Sequence, residues 1–312
     1  MRKLISLLVK GAVSGLLLYF ALRLVNIGTV ADRLWQIKPA WLVFAVLVLI
    51  GQAVLLSARW QRIAARCGAR EPFRRLFRFT MIGTFFNQTL PSSVGGDAMR
   101  IWLLGKQADW RVASYSVLLD RIIGLVALAT LVVICLPWTF TIVQNPVGRT
   151  ALLLVGLGSL AGWLLFLALG FERWHFLQRW SVTRHVATTA KVAIGILCTP
   201  GTLAPIGLIS FASHLLTALC AWSAARSVNA DLSLINALFL VLPVALIAAL
   251  PISIAGWGVR EGAMVAAFAY AGLPQSDGLL ISILFGVSYL MVGLLGGILW
   301  VLGLGSKVPK LG

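Results

Sequence analysis

The string LPSSVGGDAMR at residues 90–100 returns as LPISIAGWGVR at residues 250–260, with five identities in eleven positions at an offset of 160. Its residue types describe a chain that enters, stops and turns back. Pro91 and Pro251 lack an N–H and end an entering half-helix, while Gly95, Gly96, Gly256 and Gly258 let the backbone turn tightly. Ser93 and Ser253 stand where a hydroxyl caps the returning helix by accepting from its first N–H groups. Arg100 and Arg260 then follow on the returning helices, where a guanidinium can grip a phosphate with two parallel hydrogen bonds. A packing kink in an ordinary membrane helix would explain one copy. A matched pair is the mark of an internal repeat.

The composition around the two strings sets the solvent. Of 312 residues, 60% are hydrophobic and 11% charged, and the mean hydropathy is +0.97. A soluble domain carries roughly a quarter charged residues to cover its surface, so the chain reads as an all-α polytopic membrane protein. Its 26 Lys and Arg against 9 Asp and Glu give a net charge of +17. The basic residues fall between apolar runs and not along one polar domain, which argues for membrane orientation and against nucleic acid.

Apolar runs near 4–25, 40–58, 112–137, 150–170, 203–225 and 279–304 are long enough to cross a hydrocarbon core of about 30 Å. The first begins after Met1-Arg2-Lys3, but Lys10 interrupts it and no small-residue cleavage site closes it, so it is expected to be retained. Two further stretches, 79–104 and 234–273, are cut by Pro, Gly and charged residues and read as broken, re-entrant segments. Six full spans then put both termini on one face. On that face lie eighteen basic residues, including Arg2, Lys3, seven arginines from Arg59 to Arg78, Arg100, Lys106, Arg111 and Lys191; Arg33, Lys38, Arg149 and Arg226 lie opposite. This asymmetry makes both termini cytoplasmic in a bacterial inner membrane. The two Pro-Gly strings then dip in from opposite faces as inverted repeats. The expected organisation is one membrane domain over 1–312, with a first half 1–170, a cytoplasmic linker 171–202 and a second half 203–312.

Asp120 and Arg121 lie eight residues into the run that begins at 112, roughly 12 Å deep at 1.5 Å per residue. Ionisable groups at such depth face a protein interior or a wet cavity. Neighbours on a helix point about 100° apart, so these two need other partners. Asp97, Arg100, Arg260 and Glu261 are the candidates, and the six together are formally neutral. Asn87, Gln88 and Thr89 add polar groups just ahead of Pro91. The substrate-binding set expected from sequence is therefore Asn87, Ser93, Asp97, Arg100, Asp120, Arg121, Ser253, Arg260 and Glu261. The same charges would also serve as structural ion-pair glue.

Other features carry less. Arginines from Arg59 to Arg78 alternate with Trp60, Ile63, Phe73, Leu76, Phe77 and Phe79, as in an interfacial helix that fixes topology or gathers anionic headgroups. Gly11-x-x-x-Gly15, Gly158-x-x-x-Gly162 and Gly293-x-x-x-Gly297 are expected to let helices approach closely. Trp174 and Trp180, beside Arg173, Arg179 and Arg184, suit a cytoplasmic surface helix. Cys67, Cys135, Cys198 and Cys220 show no CxxC spacing, and His175, His185 and His214 have no partner at metal-ligand spacing. No cofactor, metal or catalytic residue is expected.

These residues resemble the lysylphosphatidylglycerol synthase transmembrane, or flippase-like, family of bacterial and archaeal membrane proteins. The resemblance rests on FFNQTLPSSVGGDAMR at 85–100, on Asp120-Arg121 followed by Gly124, and on GWGVREG at 256–262. Where the family usually reads Gly-Gly before its Arg-Glu motif, Ala255-Gly256 stands here. Large members carry a soluble aminoacyl-transferase domain after this unit; the sequence given ends at Gly312, so lysyl transfer is not expected of it. The resemblance implies translocation of an anionic, aminoacylated or similar lipid between leaflets. The alternative is a membrane-embedded enzyme or accessory subunit for polyprenyl-phosphate-linked sugars or glycolipids, with Asp120 or Glu261 as acid or base. Expected partners are membrane lipids with anionic headgroups; a second copy of the chain, or lipid-modifying or glycosyltransferase enzymes, are compatible companions.

Overall fold

The computed structural model describes residues 19, 33, 36–89, 94–170, 181–249 and 256–303, with backbone alone for 181–186, 196, 197 and 200. Pro91, Ser93, Pro251 and Ser253, the run 4–25 apart from Tyr19, Gly11-x-x-x-Gly15 and the segment with Trp174 and Trp180 lie outside the described residues. Within them the chain forms ten helices and no strand: α1 (Pro39–Cys67), α2 (Phe73–Thr89), α3 (Gly95–Gly105), α4 (Trp110–Ile142), α5 (Pro146–Ala168), α6 (Ser181–Leu197), α7 (Pro200–Ser227), α8 (Leu234–Ala248), α9 (Val259–Tyr270) and α10 (Gln275–Val301). Five of these, α1, α4, α5, α7 and α10, are long and apolar enough to cross a membrane. Their boundaries follow local chemistry. Pro39 and Pro146 open α1 and α5, Asp109 accepts from the Arg111 N–H at 2.7 Å to cap α4, and Gly68 closes α1 in the left-handed region at φ 105°.

The segments expected to be broken are broken: 79–104 is divided between α2 and α3, and 234–273 between α8 and α9. The 160-residue offset extends well beyond the eleven matched positions. Shifted by it, α1, α2, α3 and α4 fall on α7, α8, α9 and α10 to within a few residues, each set reading long, short, short, long. Packing repeats too. Just as α2 lies on α3 and α10, α8 lies on α9 and α4; α1 touches α4 and α10, and α7 touches both in return.

The two sets run in opposite senses. Lys38 N–H donates to the Ser227 carbonyl at 2.9 Å, Gln52 bonds Thr217 at 2.7 Å, Arg59 bonds Ser210 at 3.2 Å, and Arg66 donates to Thr202. Rising numbers on α1 thus meet falling numbers on α7, and the pair is antiparallel. Small residues make the contact: Ala45, Ala53, Cys220, Ala221, Ala224 and Ala225 are buried in one cluster. Close approach over small side chains is how helices associate where lipid removes the hydrophobic incentive. Likewise α1 and α4 are antiparallel, Trp60 donating to Ser116 at 3.2 Å and Arg59 to Asp120 at 2.8 Å. The α2–α3 hairpin therefore leaves and rejoins the same end of this pair, and Arg75 at its start bonds Gln107 just past its finish at 3.4 Å.

Three expectations change. Gly95 and Gly96 are the first residues of α3 and not its turn. A Cβ on Gly96 would collide with the Gly83 carbonyl and the Asn87 side chain, so this glycine serves the close contact of α2 with α3. Gly256 and Gly258, by contrast, take φ 81° and 84°, backbone that only glycine adopts freely. Gly293-x-x-x-Gly297 packs against α2 at Phe85 and Gln88, but Gly158 and Gly162 have nothing within 4 Å among the described residues, where α5 lies at the edge of the bundle. Finally, α1 continues nine residues beyond the expected end of its span and carries Arg59 into the interior.

Candidate charged cavity between the two hairpins

The tips of the two hairpins face one cavity of about 380 Å³. Asn87 and Gln88 from the end of α2 line it from one side, and Ala248, Ala249 and Gly256 from the other. Asp97, Arg100, Asp120, Arg121 and Arg260 also line it, together with Arg59, the first arginine of the expected interfacial stretch. The signal for Arg59 was present. It lies two turns after Gln52 on one helical stripe, and Gln52, 6% exposed, bonds Ser213, Thr217 and Tyr289 inside the same wall.

Four of the six expected charged residues join one network. Asp120 receives Arg59 Nε on Oδ1 and Arg100 Nη2 on Oδ2, each at 2.8 Å, and its backbone carbonyl accepts from Arg59 Nη2 at 3.1 Å. Asp97 accepts from Arg100 at 3.4 Å and from Arg121. Asp120 and Arg121 do find separate partners, as their divergent directions on α4 require. Arg100 also stacks on the buried Trp60 ring, 4.1 Å from its centroid. Its Nε and the Thr80 hydroxyl are buried without a hydrogen-bond partner among the described residues.

Arg260 and Glu261 do not join that network. They pair with each other at 2.7 Å although they are adjacent in sequence. The expectation of distant partners fails here because Glu261 folds back over the first turn of α9: one oxygen accepts from the Gly258 N–H at 2.6 Å, and the other faces Arg260 and Ser282. Glu261 is fully buried and does not line the cavity; Arg260 does, over the Trp257 and Phe285 rings. Returning-helix N–H groups are thus already engaged, Gly258 by Glu261 and Gly96 by Asn87 Oδ1 at 2.8 Å. Asn87 caps the first turn of α3, and Glu261 holds the N-cap residue of α9.

A glycine lies under each of three cavity arginines. A Cβ on Gly83 would stand 3.0 Å from Arg100 Cγ, one on Gly124 would stand 3.1 Å from the Arg59 guanidinium, and one on Gly286 would run into Arg260. The formal charge also changes from the expected neutrality. Arg59, Arg100, Arg121 and Arg260 against Asp97, Asp120 and Glu261 leave one positive charge. His214 stands in the same wall and its Nε2 donates to the Gly124 carbonyl at 2.9 Å. Among the described residues no group of three His, Cys, Asp or Glu is placed to hold a metal ion.

Paired half-helices around a buried charged cavity, in a bundle of long apolar helices, define a multi-pass membrane protein built on an internal repeat. The family model for the lysylphosphatidylglycerol synthase TM region matches residues 7–297, and the chain belongs to that family. Part of the chain is also similar to a curated protein, the UPF0104 membrane protein MJ1595 of Methanocaldococcus jannaschii. The two are 34% identical over 70 residues, which is 22% of this chain and 21% of that protein. The match spans about a fifth of the relative's length.

Proposed function

We propose that the chain moves an anionic phospholipid, or an aminoacylated or similar lipid, between the leaflets of a bacterial cytoplasmic membrane, with both termini in the cytoplasm and no catalytic step. One observation carries this reading: among the described residues a buried cluster with one net positive charge surrounds a cavity and includes Arg100, whose Nε has no hydrogen-bond partner there. A phosphodiester bears one negative charge and would neutralise the cluster, exchanging one arginine partner for another without stranding a charge. Leu125 lines the cavity and is 39% exposed, an apolar part of its wall along which acyl chains would stay in the bilayer. In this reading α2–α3 and α8–α9 are re-entrant from opposite faces, and the cavity lies near the midplane. Acid–base chemistry on a lipid-linked sugar is less favoured, since Asp120 is held by two arginines and Glu261 is away from the cavity.

The test is a reconstituted assay of lipid movement across a panel of anionic, zwitterionic and aminoacylated phospholipids. Wild-type protein should accelerate exchange of at least one. Arg260→Lys keeps the charge and loses the planar fork; Arg100→Ala loses both. A charge-assisted hydrogen bond is worth about 1.5–3 kcal/mol, so exchange should slow by about ten- to a hundredfold, more for Arg100→Ala. Inserted, folded variants that move lipid at the wild-type rate would reduce the cluster to structural glue.

A further inference from the structure

Away from the central cavity, where α1 ends and α7 begins, a hollow of about 440 Å³ is lined by Arg62, Arg66, Arg70, Gly201, Thr202 and Pro205. Setting topology requires only that basic residues stand on one side of the membrane. It does not require three guanidiniums to share one hollow, where like charges repel. No ion pair relieves them among the described residues. Arg62 donates to the Ala58 carbonyl of its own helix at 3.1 Å, and Arg66 donates to the Thr202 hydroxyl across the gap. The nearby acid is committed elsewhere: Glu71, in the adjoining hollow with Arg62 and Arg70, is paired with Arg75 at 2.5 Å.

We propose that Arg62, Arg66 and Arg70, with the first turn of α7, form a second anion site that takes a phosphate group at the membrane surface. It lies just past the apolar run of α1, where the helix turns from apolar to basic, and Ala65 and Pro205 give the hollow a small apolar floor. Arginine forks match phosphate oxygens, and three of them outnumber what one monodentate contact would use. Because Arg66 already reaches α7, a phosphate here ties the last turns of α1 to the first turn of its antiparallel partner. The site does not depend on the transport reading.

The experiment uses the full chain in detergent micelles and follows thermal unfolding and native mass spectra with phosphatidylglycerol, phosphatidylcholine or millimolar inorganic phosphate. Wild-type protein should be stabilised by phosphatidylglycerol above phosphatidylcholine, and Lys38→Gln, at the opposite end of α1 and outside both cavities, should retain this response. Arg70→Gln should weaken it, and the triple change Arg62→Gln, Arg66→Gln, Arg70→Gln should lower the affinity of this site by about a hundredfold, leaving at most the response of the central cavity. A triple change to Lys, which preserves charge and topology, should fall between. Stabilisation by phosphatidylglycerol alone identifies a lipid headgroup as the source, and equal stabilisation by phosphate identifies a soluble anion. The proposal is overturned if the triple Gln protein binds either probe as the wild type does, or if neither probe acts on the wild type beyond phosphatidylcholine.

Discussion

Asp120 shows how much one side chain can organise. Both its carboxylate oxygens and its backbone carbonyl accept from arginines, and those arginines come from α1 and α3. Replacing one member of a buried ionic group leaves the others uncompensated, at a cost of about 3–5 kcal/mol. Asp120→Asn is therefore expected to lower stability by several kcal/mol in an unfolding titration. Asp109→Asn, at an exposed N-cap where Asn serves as well as Asp, should stay within about 0.5 kcal/mol of wild type. Equal effects from the two would mean that the cluster does not hold α1, α3 and α4 together. Arg59 was legible as a charge on the Gln52 stripe. Its partner was not, because which helix faces that stripe is decided by the hairpin between them.

At the scale of elements, the small-residue motifs divide by what they touch. A Cβ on Gly296 would strike the Met81 carbonyl, so α10 approaches α2 backbone to backbone. Gly296→Leu should separate the helices and destabilise by about 1–3 kcal/mol or more, as overpacking does. Gly158→Leu, on the outer face of α5 with nothing within 4 Å, should be nearly silent. Melting temperatures of the two proteins in one detergent compare them directly; a loss at Gly158 matching that at Gly296 would show that α5 has a partner beyond the described residues. Gly296 stands inside the Gly293-x-x-x-Gly297 motif, whose spacing is the same as that of Gly158-x-x-x-Gly162. Only the neighbour distinguishes them.

For the whole molecule, the antiparallel pairing of α1 with α7 and of α1 with α4 sets which loops share a face. At the end where α1 finishes stand Arg62, Arg66, Arg70, Arg74, Arg75 and Lys106; at the opposite end stand Lys38, Arg149 and Arg226. The charge asymmetry survives the loss of Arg59 and Arg100 to the interior. In a cysteine-free background, single cysteines at Pro72 and Gln107 should react with an impermeant thiol reagent from one side of the membrane. Cysteines at Asp231 and Pro274 should react from the other. Opposite labelling of Pro72 and Gln107 would make 73–105 a crossing segment and end the inverted-repeat description.

Membrane class, the spans α1, α4, α5, α7 and α10, and the two interruptions follow from sequence alone, because a bilayer admits few solutions for apolar runs of known length and Pro and Gly act locally on the backbone. The 160-residue repeat is equally a property of the chain. What converges across it is not. Arg59 joins Asp120 only when α1 and α4 are packed antiparallel, Glu261 turns onto its own helix start only when α9 has folded against Ser282, and the cluster gains its positive charge through the first of these contacts. Periodicity tells which residues share a face, but ion pairs over 60 residues apart depend on distances that exist only after the helices have packed.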